Sequence, residues 1–227
     1  MDEEGWKLKR ICGVGLYAVA AGFCIGLGGT VFLRLKDAFA GGQVVGALLF
    51  AIGLFTICTR GYYLYTGKVS AVFDQPLSYT FDVCLMFVGN FFGCWLLAFL
   101  QSFTGLFGPG GIHVAAAELV AGKMDASYLS LFILGIFCNI FMFIAVNGYQ
   151  NNPHQLGKYL AILLGVSVFI LSGTEHSIAN MYYWAVSGVL YEAPSESLLR
   201  IFVVGLGNAV GGVLLPLAER AKAYLDM

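Results

Sequence analysis

The chain has 227 residues, of which 59% are hydrophobic and 11% charged, and its formal net charge is −1 at pH 7. Soluble domains carry about 25% charged residues, so this composition excludes an ordinary soluble globular domain and points to an integral membrane protein. Near-neutrality, with no basic run, also excludes a nucleic-acid partner.

A membrane-spanning helix needs about 20 residues, so the length suits six spans with short loops, forming one all-α membrane domain over 1–227 in a lipid bilayer. The charged segment 1–10 leads into an apolar run over 11–33. That run exceeds a signal-peptide core and lacks a small-residue cleavage site, so it is expected to be a retained first span. Gly22-x-x-x-Gly26 gives it a small-residue face for close helix packing. The second span, 43–66, is apolar to Cys58 and then carries Thr59-Arg60-Gly61-Tyr62-Tyr63, the signature of a discontinuous helix. The third, 79–103, contains Gly89-Asn90-Phe91-Phe92-Gly93, and a long loop over 104–126 follows. The fourth, 127–146, ends at Asn147-Gly148 and Asn151-Asn152-Pro153 turn signals. The fifth, 158–190, is too long for one straight crossing unless Gly173 breaks it, and the sixth, 199–217, contains Gly207-Asn208-Ala209-Val210-Gly211.

The halves 11–104 and 127–218 resemble one another, because the Gly61 patch matches that at Gly173 and G-N-x-x-G recurs at Gly89 and Gly207. Three spans per half make the repeat inverted, and paired interruptions of this kind point to a midplane binding site. Lys7, Lys9, Arg10, Lys68, Lys158, Arg220 and Lys222 fall on one side, against Arg34, Lys36, Lys123 and Arg200 on the other. The positive-inside rule then puts both termini in the cytoplasm.

The chemistry concentrates in the fifth span, at Ser172-Gly173-Thr174-Glu175-His176-Ser177-Ile178-Ala179-Asn180. Ionisable groups inside a membrane-length segment are costly and usually face a cavity or a partner. On a helix, His176 and Asn180 share a face and Glu175 is turned about 100° away. Glu175 is open to two readings, a bond between helices or subunits, or a pore role. The six cysteines, Cys12, Cys24, Cys58, Cys84, Cys94 and Cys138, show no C-x-x-C spacing, so no metal, cofactor or disulfide framework is expected. A membrane enzyme using Glu175 and His176 would lack a second carboxylate, a metal cluster or a nucleophile.

AGFCIGLGG (21–29), GYYLYTGKV (61–69), CNIFMFIA (138–145), GTEHSIANM (173–181) and GLGNAVGG (205–212) together resemble the formate/nitrite transporter family. The resemblance implies an aquaporin-like protomer of six helices, a homopentamer, and one anion-conducting pore in each protomer of a cytoplasmic membrane. It implies a central pore histidine at His176, companion asparagines at Asn139 and Asn180, and a threonine of the second-span break at Thr66. It further implies apolar constrictions at Phe50, Leu54 and Phe169 and a vestibule lysine at Lys123. Ordinary lipid-span packing remains open for the three apolar residues, and a solvated loop charge for Lys123. Two departures stand out: Tyr63 replaces the usual acidic residue, and Lys68 follows Gly67 where formate and nitrite members commonly carry a small or amide residue. The Tyr-Thr-Gly-Lys variant resembles the hydrosulfide-channel branch, so hydrosulfide ranks first, with formate, nitrite or chloride sharing the pore. A formate or nitrite transporter with proton coupling is the alternative. A neutral-solute facilitator is a lesser one, because no Asn-Pro-Ala box occurs.

Overall fold

The computed structural model describes residues 3–226, apart from the side chains at positions 3, 4, 6 and 7. The side chain of Lys7, counted above for orientation, therefore lies outside the described residues. The described chain is all α: α1 (Glu3–Leu35), α2 (Gly42–Arg60), α3 (Tyr65–Lys68), α4 (Ser78–Ser102), α5 (Ile112–Asp125), α6 (Tyr128–Asn151), α7 (Gln155–Leu171), α8 (Ser177–Ser187), α9 (Val189–Glu192) and α10 (Pro194–Leu225).

Helix α1 packs on α2 and α4, α6 packs on α7 and α10, and the two groups meet through α2 with α7 and through α8, which packs on both α4 and α10. Bilayer lipid is as apolar as leucine, so close approach of small residues drives these crossings. A Cβ at Gly89 would stand 2.6 Å from the Ala18 methyl, and one at Gly135 would stand 2.8 Å from the Val204 carbonyl. At Gly93 and Gly211 it would fall onto the carbonyls of Val19 and Ile136.

The expectation of six spanning helices in an aquaporin-like three-plus-three arrangement is corrected by the helices themselves. Among the described residues, five are long and apolar enough to cross a membrane: Leu8–Leu35 of α1, α2, α4, α6 and α10. The predicted fifth span, 158–190, is not one helix. Gly173 adopts φ 67°, a left-handed turn, and Thr174, Glu175 and His176 are non-helical. What remains is α7, of 17 residues, and α8, of 11. At 1.5 Å per residue α7 reaches about 26 Å, short of the roughly 30 Å of a hydrocarbon core. The second predicted span also ends early, at Arg60, where Gly61 takes φ 70° before the four-residue α3 begins.

The long loop predicted over 104–126 contains a helix. In α5, Ile112, Ala116 and Val120 recur every four residues and are buried on one face, and the helix packs on α8. Its last turn carries Lys123.

Two asparagines hold the breaks in matching fashion. Asn90 donates from Nδ2 to the carbonyls of Ala18 (2.7 Å) and Tyr63 (2.9 Å) and accepts at Oδ1 from the N–H of Tyr65 (2.9 Å). Asn208 donates from Nδ2 to the carbonyls of Gly135 (2.8 Å) and Glu175 (2.9 Å) and accepts at Oδ1 from the N–H of Ser177 (2.9 Å). Each amide thus satisfies the last carbonyl and the first N–H of an interrupted segment, with no water required.

Asn208→Ala is expected to lose about 2–4 kcal/mol, because it strands two buried backbone groups, and so to lower the unfolding temperature in detergent by roughly 5–10 °C. Equal melting of wild type and variant would show that the bracket contributes nothing.

Candidate functional site

The α7–α8 break builds the site. Thr174 tethers the turn by donating from its hydroxyl to the Phe169 carbonyl (2.8 Å), and the N–H of Glu175 reaches the Leu134 carbonyl (3.2 Å). His176 is then the N-cap of α8, in extended backbone with φ −102° and ψ 112°. Its Nδ1 accepts from the N–H of Ala179 at 3.1 Å. A nitrogen that accepts carries no proton, so the proton sits on Nε2, which donates to Thr66 Oγ1 at 3.0 Å. Thr66 belongs to α3, so this bond ties the two breaks together. The imidazole stacks on Phe169 with ring centroids 5.4 Å apart and planes at 21°. Phe169 in turn meets Phe50 edge to face at 6.2 Å.

A second constellation sits beside it. Lys123 Nζ donates to both carboxylate oxygens of Glu175, at 2.6 Å each, and Asn180 Nδ2 donates to Oε2 at 2.7 Å. Lysine and glutamate are both largely buried, so their charges cancel where water does not screen them. With this pair neutral, the α8 N-terminus remains beside the site, and a helix N-terminus favours negative charge.

Two cavities approach this centre. The larger, about 360 Å³, is lined by Lys123, Thr174, Glu175, His176, Asn180 and Phe169 among others. The smaller, about 60 Å³, lies at the α2–α3 break and is lined by Leu54, Cys58, Gly61, Tyr62, Lys68 and Gln150 among others. Phe50, Leu54, Phe169, Thr66 and His176 are all buried. Leu54 fronts the smaller cavity, while Phe169 and His176 front the larger.

The residues singled out from the sequence therefore come together, with three differences in geometry. Glu175 does not turn away from Asn180, because the chain is not helical at 175 and the carboxylate folds back onto the Asn180 amide. Lys123, expected either in a vestibule or as a solvated loop charge, lines the larger cavity and is paired with Glu175. Asn139 donates from Nδ2 to the carbonyls of Thr66 (3.1 Å) and Asn208 (2.7 Å), so its amide hydrogens serve the backbone. Sequence reasoning missed the bracketing role of Asn90 and Asn208, although it recorded their G-N-x-x-G repeat. An amide flanked by glycines inside an apolar span is the signal that could have found them, since the glycines admit a neighbouring backbone and the amide must then pair with it.

Residues 7–218 match the family described as "Formate/nitrite transporter". The chain is 28% identical over 218 residues to the uncharacterized transporter YwcJ of Bacillus subtilis (strain 168), covering 88% of this chain and 84% of that one. It is 27% identical over 235 residues to the formate channel FocB of Escherichia coli (strain K12), covering 89% and 83%. Among solved structures, a "pentameric formate channel with formate bound" superimposes with TM-score 0.79 at 24% identity, covering 96% of this chain and 98% of that chain. An "FNT family ion channel" gives TM-score 0.81 at 24% identity, covering 96% and 92%. At this identity the structural likeness is one of fold. The match over nearly the whole length makes the assignment: this chain belongs to the formate/nitrite transporter family, as a multi-pass membrane channel or transporter of small anions and not an enzyme.

Proposed function

We propose that the chain conducts formate, nitrite or a similarly small monovalent weak-acid anion, along a path from the larger cavity past Phe169, His176 and Thr66 to the smaller one. The observation that carries this reading is the His176–Thr66 hydrogen bond, buried between two cavities and backed by aromatic rings. Carrying a carboxylate-sized ion into a dry constriction costs several kcal/mol even after relaxation, unless donors replace its water. At rest the Nε2–H of His176 is spent on Thr66 Oγ1. An entering anion takes over that hydrogen and the hydroxyl hydrogen of Thr66, so two donors become available where the path is driest. Nδ1 stays committed to the α8 cap, and His176 therefore acts by donating a hydrogen bond rather than by holding a second proton. Phe50, Leu54 and Phe169 exclude the hydrated ion, and Asn180 orients Glu175 at the entrance.

Formate and nitrite take precedence over hydrosulfide. Named relatives include formate channels and formate-nitrite transporters, whereas the hydrosulfide reading rests on Tyr63 and the Tyr65-Thr66-Gly67-Lys68 variant. Assembly as a homopentamer, with one pore per protomer, is supported by the fold shared with a pentameric channel. Cytoplasmic termini in a cytoplasmic membrane are supported by the grouping of Lys68, Lys158, Arg220 and Lys222 at one end. Lys123 and Arg200 lie together at the other, where Arg200 Nη1 donates to the Lys123 carbonyl at 3.0 Å.

Uptake into proteoliposomes, with formate, nitrite, hydrosulfide and chloride run in parallel, tests the reading. His176→Ala is expected to slow formate and nitrite by about 10- to 100-fold, the worth of a hydrogen bond to a charged group. Unchanged uptake would remove His176 from the path, and hydrosulfide outrunning formate would restore the branch that Tyr63 and Lys68 suggest.

Glu175 and Lys123 offer a separate check. Removing one partner leaves an unpaired buried charge, so Glu175→Gln and Lys123→Met should each destabilise the protein, while the double variant recovers about 1–3 kcal/mol relative to the sum of the singles. Additive losses in thermal unfolding would show that the pair is not coupled.

A further inference from the structure

The two cavities differ in more than size. In the larger, Lys123 is neutralised by Glu175. In the smaller, Lys68 makes no ion pair among the described residues, and none of its three N–H donors meets an acceptor there. Its ammonium lies over the Tyr63 ring at 5.2 Å from the centroid, and its backbone is pinned at both ends. The N–H bonds the Leu64 carbonyl (3.0 Å) and the carbonyl accepts from the Tyr79 hydroxyl (3.1 Å). A ring face offers a cation about 0.5–2 kcal/mol but cancels no charge. A lysine at a membrane edge ordinarily extends toward water or headgroups. Lys68 instead is half-buried and lines the cavity.

The cavity is about 60 Å³, room for a couple of water molecules or one anion of three or four heavy atoms. Besides Lys68, the residues lining it that carry polar side chains are Cys58, Tyr62 and the exposed Gln150. The α2–α3 break exists because Gly61 turns the backbone, so the pocket is a product of the fold and not a gap between surface side chains.

We propose that Lys68, in the cavity that Tyr62 and Gln150 also line, forms a second anion site at the α2–α3 mouth, sized for one small monovalent anion and distinct from the Lys123–Glu175–Asn180 entrance. It deepens the anion-conduction reading and rests on it for its role. An ion leaving the His176–Thr66 constriction passes to an unneutralised cation on one side and to a neutral pair on the other. The tight site thus captures or releases the anion at one mouth and makes apparent affinity differ between the two directions of flux.

Cys58 lines the same cavity and reports on it without any flux. The experiment alkylates the purified full-length protein with iodoacetate or iodoacetamide and follows Cys58 by peptide mass spectrometry. The ratio of the two rates cancels any change in the thiol itself. In wild type the ratio should favour the anionic reagent by about 3- to 10-fold more than in Lys68→Gln, as expected for a unit charge a few ångströms away, and Lys68→Arg should retain the preference. Millimolar formate or nitrite should slow Cys58 alkylation in wild type and leave it unchanged in Lys68→Gln. Equal ratios in wild type and Lys68→Gln, or absence of protection by either anion, would overturn the site. A wild type that transports no anion yet shows the preference and protection would refute the conduction reading alone. Transport with equal ratios would refute the Lys68 site alone.

Discussion

The fold depends on satisfying backbone that is not helical in a medium without water. Each N–H or carbonyl stranded in the bilayer costs several kcal/mol, so an interrupted span survives only if protein groups replace the lost ladder. Asn90 and Asn208 do this with one side chain per break. The carboxamide is suited to the task because a single planar group both donates twice and accepts. Aspartate could not donate to the two carbonyls, and leucine could do neither. The glycines around each asparagine bring α4 against α1 and α10 against α6 closely enough for a short side chain to reach both ends of the gap.

Once the break at Gly173 is stabilised, the rest of the site follows from it. Interrupting the helix places the α8 N-terminus inside the protein, with orphan N–H groups that must be capped. His176 caps it with Nδ1, and that bond determines which nitrogen carries the proton and where it points. The same non-helical strip lets the Glu175 side chain fold back, so that Asn180 and Lys123 surround one carboxylate. One interruption therefore produces the hydrogen-bond donor, the helix-terminus field and the neutralised ion pair.

Charge is distributed unevenly along the proposed path. A buried lysine paired to a carboxylate presents little net charge, and its value lies in the dipole and the hydrogen bonds it fixes. A lysine over an aromatic ring keeps its full charge. On the proposed path an anion would meet a neutral, roomy entrance and a cationic, narrow one, joined by the buried aromatic contact of Phe50, Phe169 and His176. Capture at one end without trapping in the middle requires that the central contacts be few and exchangeable, and the shared hydrogen between His176 and Thr66 is of that kind.

Much of this was legible in the residues. Hydropathy alone determined that the chain is a membrane protein, because apolar runs of spanning length have no other stable environment. Glycine, with its access to left-handed backbone, marked the interruptions at Gly61 and Gly173, and the polar cluster at 172–180 marked where buried polar groups gather. Helical projection failed at Glu175, because a periodicity argument assumes the very helix that Gly173 ends. The loop reading of 104–126 missed α5, because its apolar stripe at Ile112, Ala116 and Val120 is short and gains meaning only against α8. Composition and local pattern thus determined the membrane class, the apolar runs and the location of the polar centres. The tertiary structure decided the division into five spanning helices, the pairing of Lys123 with Glu175, the His176 tautomer and the brackets at Asn90 and Asn208. Each of those depends on groups distant in sequence meeting at hydrogen-bonding distance, and no local periodicity encodes such a meeting.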